Sequence, residues 1–146
     1  MSITATLARF AAELCYEDIG EEVREYCKDL LLDALACAIA GHNGEETHQV
    51  EALAAALAQS AESSVIGGAH LSLAGATLFN GYLITAVTMC DVHRPTLTHI
   101  TPEVVPPALA IAERDGSSGR DLMVALAAGF ETTTRVGIGL DFPAFR

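Results

Sequence analysis

Between Glu21 and Gly41 the apolar residues Val23, Tyr26, Cys27, Leu30, Leu31, Ala34, Leu35, Ala38 and Ile39 recur every three or four positions. That spacing gathers them on one face of an α-helix. Glu21 and Glu22 fall in the first turn, where the helix dipole favours negative charge. From Leu30 onward the opposite face is apolar as well. A helix that is apolar on both sides has to be packed between others, so the second half of this one is expected to be central. Gly41 is expected to end it as a left-handed cap.

The rest of the chain has to supply elements that cover such a helix. Ile3, Leu7, Phe10, Ala11 and Leu14 predict a first helix over 3–15, with Thr4 as its cap and a break at Tyr16–Gly20. Val50, Leu53, Ala54 and Leu57 predict a third helix over 45–60, buried through those four. SSVIGGA (63–69) reads as a turn or short extended link, because Gly67-Gly68 lacks the spacing of a phosphate loop. Ser72 caps a fourth helix to about Met89.

Thr101-Pro102-Glu103 places a cap, a proline and an acid at the start of a fifth helix. Pro106 and Pro107 are expected to delay its regular part to about Val105, and Gly116 to stop it. Ser118 and Asp121 form a capping box for a sixth helix over 119–136, weakened at its end by Thr132–Thr134 and the glycines at 137 and 139. Residues 141–146 read as a loop. No window alternates strictly. The fold class is therefore all-α, about six helices in a single helical domain over 1–146.

Composition bounds what such a domain does. Only 18% of its 146 residues are charged, against 51% apolar, so some apolar surface is expected to be covered by a partner or by further chain. The net charge of −11 and the single lysine, Lys28, exclude a nucleic-acid module, which needs basic patches to meet phosphates. Cys15, Cys27, Cys37 and Cys90 show no C-x-x-C spacing and read as small apolar residues in a reducing compartment. There is no basic-then-apolar leader and no long uninterrupted apolar run, so the expected location is cytoplasmic, with no membrane partner.

One polar stretch interrupts the helices. NGYLITAVTMCDVHRPTLTHITPEVVPP (80–107) places Asp91, His93, Arg94 and His99 within nine residues. Loops held between rigid elements commonly carry binding and catalytic groups. His99 can serve as proton donor or acceptor, since imidazole titrates near neutrality. Asp91 can orient His93 or His99, accept a substrate hydroxyl, or act as a helix-end aspartate. Arg94 offers a planar fork for a carboxylate or a surface ion pair, and His93 can assist it. The spacing matches no zinc pattern, so no metal is expected. Cys90 is assigned no chemistry, His42, His48 and His70 are read as surface residues, and Arg135 is expected to pair with Glu131.

Six segments in order resemble the N-terminal part of the MmgE/PrpD family. They are LLLDALACAIAG (30–41), SSVIGG (63–68), SLAGATLFNG (72–81), CDVHR (90–94), HITPEVVPPALAIAE (99–113) and SGRDLMVALAAGFETTTRVG (118–137). The family includes 2-methylcitrate dehydratase, cis-aconitate decarboxylase and iminodisuccinate epimerase. The resemblance implies a helical domain joined to an α+β domain absent from this chain, a homodimer, no cofactor, and a small di- or tricarboxylate substrate such as 2-methylcitrate.

By that resemblance His99 and Asp91 are catalytic; from their own chemistry Arg94 and His93 are expected to bind substrate. Asp91 matches the second acid of the family's DD pair, and Cys90 stands in place of the first. Thr88, Val92, Thr85 and Ile100 also depart from the pattern. The expected function is a lyase or isomerase of the dehydratase or epimerase type, incomplete in this chain. The alternative is a non-catalytic or degenerate helical module serving dimerisation.

Overall fold

A computed structural model describes residues 2–140; the loop expected at 141–146 lies outside them. Six α-helices carry the fold: α1 Ile3–Glu13, α2 Glu21–Gly41, α3 Thr47–Ala56, α4 Leu73–Thr85, α5 Thr101–Asp115 and α6 Gly119–Gly139. A 3-10 turn at Tyr16–Asp18 joins α1 to α2. Two strands of two residues, β1 Ser63–Ser64 and β2 His70–Leu71, pair antiparallel between α3 and α4. No described helix is long and apolar enough to cross a membrane.

The centre of the molecule is α4 rather than α2. Ala76, Phe79, Asn80, Leu83 and Ile84 are all almost fully enclosed, and α4 packs against α2, α3 and α5. α2 contributes a narrow inward stripe of Cys27, Ala34, Cys37, Ala38 and Gly41. Its larger residues Val23, Tyr26, Leu32 and Ile39 stay exposed. Backbone approach explains the choice. A Cβ at Gly41 would lie 2.0 Å from the Leu83 carbonyl oxygen, so the two helices meet where side chains are smallest. Gly41 is therefore the last residue of the helix and a contact point, not the left-handed cap expected of it; its backbone φ is not positive.

Several boundaries differ from expectation for local reasons. Ser2, not Thr4, caps α1 by accepting from the Ala5 amide at 3.2 Å, and α1 stops at Glu13. α3 is shorter at both ends than 45–60. It buries Ala54, half-buries Val50, and leaves Leu53 and Leu57 exposed, because it meets α4 through small residues: a Cβ at Gly75 would come within 2.6 Å of the Ala54 carbonyl oxygen. α4 ends at Thr85, short of Met89. α5 is regular from Thr101, with Ile100 in the cap position and no delay from Pro106 and Pro107. α6 runs through Gly137 to Gly139 instead of stopping at Val136. The Ser72 cap, the Gly116 left-handed stop and the Ser118–Asp121 capping box are as the sequence predicts.

Polar groups inside the core fasten the small hairpin to α4. Asn80 accepts from the Ile66 amide at 2.8 Å and donates to the Ser64 carbonyl at 2.9 Å. His42 is half-buried rather than a surface residue. Its Nε2 lies 2.7 Å from the Ile66 carbonyl, which can only accept, and its ring stands edge-on to Phe79 at 6.0 Å. His48 and His70 are exposed. Arg135 pairs with Glu131 one helical turn earlier at 2.5 Å.

Candidate functional site

The segment from Ala86 to Ile100 joins the buried end of α4 to the start of α5, and one carboxylate shapes it. The first turn of any helix leaves amides without partners. At α5 two donors, the amides of Ile100 and Thr101, reach Asp91 at 3.3 and 3.0 Å, and the Thr101 hydroxyl also donates to it. Asp91 thus caps α5 from nine residues upstream, where the dipole favours its charge. Of the roles open to it in the sequence, this is the helix-end one. No hydrogen bond joins Asp91 to His93 or His99 among the described residues.

Inside that closure the chain makes a tight turn. The His93 amide donates to the Thr98 carbonyl at 2.9 Å, and the Thr96 amide donates to the His93 carbonyl at 3.1 Å. His93 Nδ1 lies 2.7 Å from the Thr96 hydroxyl. Thr96 is buried against α6. A Cβ at Gly137 would sit 3.0 Å from its methyl group, so the glycine lets α6 pass directly behind the loop. Thr88 and Leu97 both adopt a φ of 52°. That left-handed backbone is costly for a residue with a Cβ, and persists only where surrounding contacts over-determine it.

His99 and Arg94 project from this frame. Both are exposed. The Nδ1 of His99 is 3.3 Å from the sulfur of Cys90, which is itself buried. The other ring nitrogen has no protein partner among the described residues. Arg94 forms no ion pair among them either. Burial pushes the Cys90 thiol above its ordinary range, with the negative charge of Asp91 adding to the effect. The Cys37 thiol on α2 is raised as well, by burial first, then by Asp33 and Asp91.

The four residues close in sequence divide in space. Asp91 and His93 line a groove of about 470 Å³ between α1, α2, α6 and the loop, while Arg94 and His99 are not part of its lining. Its walls are mainly apolar, with Phe10, Val23, Tyr26 and Phe130 prominent, and its charged lining is the acids Asp18, Asp91 and Glu131. No lysine or arginine faces it among the described residues, so it offers an anion little beyond His93. The described residues contain no group of three acids, cysteines or histidines that could hold a metal ion. The contact between Cys90 and His99 is the feature that sequence reading missed. Its only trace there is indirect: an aspartate at 91 that caps residues 100 and 101 must bring 90 beside 99.

Over residues 5–146 the chain matches the MmgE/PrpD N-terminal domain. It is 33% identical over 144 residues to the cis-aconitate decarboxylase-like protein oryM of Aspergillus oryzae, covering 93% of this chain and 30% of that protein. It is 30% identical over 141 residues to the cis-aconitate decarboxylase of Aspergillus terreus, covering 92% of this chain and 29% of the relative. The chain therefore spans about 30% of the length of the curated relatives it matches. No solved structure matches it significantly.

Proposed function

The chain belongs to the MmgE/PrpD family, and on that premise we propose that it carries one wall of the active site of a lyase acting on a small di- or tricarboxylate. The reaction class follows from the relatives, two of which are named for decarboxylation of cis-aconitate. Dehydration and decarboxylation of such molecules both move a proton at a carbon next to a carboxylate. They call for a titratable group near neutrality and for cations that hold the substrate's charges.

One observation carries the reading. His99 is held at one ring nitrogen and exposed at the other, on a loop whose backbone is fixed by Asp91. Such a ring is oriented without being used up. In this reading His99 acts on the substrate through its free ring nitrogen, by proton transfer or by a hydrogen bond to developing charge, Asp91 acts by holding the loop, and Arg94 grips a carboxylate. His93, engaged by Thr96, contributes little to substrate. A tricarboxylate needs more positive charge than Arg94 provides. The remaining cations come from outside this chain's described surface, in a protein of full family length or from a second copy in a homodimer.

The test is turnover of cis-aconitate and of 2-methylcitrate by the protein that carries this chain, with and without His99→Gln. A drop in kcat of about 10²-fold or more is expected. Unchanged turnover in the variant removes His99 from the reaction. A second reading, a helical module that serves assembly, draws on the exposed Val23, Tyr26, Leu32 and Ile39 of α2. It predicts no turnover by the wild type and loss of self-association on Tyr26→Asp.

A further inference from the structure

We propose that Cys90 is a positioning residue for His99: its thiol donates to Nδ1, so that the ring presents Nε2–H outward. The inference rests on the reading of His99 as a group that acts on substrate and narrows its part: the neutral ring donates a hydrogen bond through Nε2 and does not itself take up a proton there. Sulfur and nitrogen are 3.3 Å apart, with the sulfur enclosed and the ring reaching solvent. The contact therefore anchors the inner edge of the imidazole and leaves the outer edge free.

The direction of the bond follows from chemistry. Burial and the nearby Asp91, Cys37 and Asp33 all oppose loss of the Cys90 proton, so the group is a thiol. Thiol sulfur is a weak acceptor, whereas the lone pair on an imidazole nitrogen is a good one. The S–H is thus the donor and Nδ1 the acceptor. A neutral ring has one proton, which is then on Nε2. A carboxylate at position 90, as in the DD pair that the family segment carries, would accept from Nδ1–H and expose a basic Nε2 lone pair instead. With cysteine there, the neutral ring faces substrate as a hydrogen-bond donor. It polarises a carboxylate or stabilises charge that develops on its oxygens, a role a neutral imidazole can fill.

The backbone keeps the two partners together. Cys90 lies between Thr88, in the left-handed region, and Asp91, clamped to α5; His99 follows Leu97, also left-handed, and precedes the clamped Ile100. Neither partner can drift without releasing those contacts.

Nitrogen-15 NMR of the imidazole rings, in the protein that carries this chain and at a pH where His99 is neutral, decides the matter. The wild type is expected to show protonated Nε2 and unprotonated Nδ1. Cys90→Asp is expected to reverse the pattern, and Cys90→Ser to keep it. Cys90→Ala is expected to shift the Nδ1 resonance by removing its donor. Protonated Nδ1 in the wild type, or a Nδ1 resonance unmoved in Cys90→Ala, overturns the proposal. Should Cys90→Asp fail to fold, the wild-type, Ser and Ala spectra still decide it. The readout is independent of turnover, so an inactive protein with the expected tautomer refutes the lyase reading and leaves the positioning role standing.

Discussion

α4 and the loop that follows it are neighbours in the chain and opposites in construction. α4 is held by burial: Phe79, Leu83 and Ile84 are enclosed on every side, and the amide of Asn80 is satisfied by the hairpin. The loop from Ala86 to Ile100 buries little apart from Cys90, Thr96 and Ile100. It is held instead by directed bonds, chiefly those converging on Asp91, and it tolerates unfavourable backbone at Thr88 and Leu97. Packing is insensitive to direction and tolerates small rearrangement. Directed bonds fix angles, and that is what a side chain presented for chemistry requires. The order in the chain makes structural sense: a rigid helix delivers the loop, and a capped helix receives it.

This contrast can be broken at either end. Leu83→Ala is expected to cost the most, about 3 kcal/mol of stability, by leaving a cavity in the enclosed core; urea unfolding measures it, and a change below about 1 kcal/mol would mean that α4 is not central. Asp91→Ala is expected to cost about 1–2 kcal/mol by leaving the first amides of α5 without their acceptor, and to lower turnover as well, since His99 loses its fixed backbone. If stability falls but turnover holds, the loop does not need its clamp. Arg94→Ala is expected to change stability by less than about 0.5 kcal/mol, as an exposed residue with no ion pair among the described residues. In a turnover assay it should raise KM more than it lowers kcat, because it removes substrate binding. An unaltered KM would return Arg94 to the role of a surface charge.

How much of this could be read in the sequence depends on distance along the chain. Short-range devices were legible: Ser72, Gly116 and the Ser118–Asp121 box act within four residues of themselves, and each does what its local chemistry requires. The helical periodicity of α2 was legible too, but not which of its apolar residues face inward. Periodicity marks a face; it does not say that a close neighbour at Leu83 will select the Ala, Cys and Gly side over Tyr26 and Ile39. His42 was misplaced for the same reason, since its partner carbonyl lies 24 residues onward. In the loop the residue types were visible and their partnership was not. Asp91 and His99 look like one acid–histidine pair, yet the acid serves a helix and the histidine rests on Cys90.

Asp91 clamps the loop, and through that clamp His99 is presented in one orientation. Amide hydrogen exchange at Ile100 and Thr101 tests the clamp most directly, compared between the wild type and Asp91→Ala. Both amides are expected to exchange slowly in the wild type and to lose that protection in the variant, while the amides of α4 stay protected. Equal, fast exchange at Ile100 and Thr101 in both proteins would show that the clamp does not hold in solution and would contradict the account.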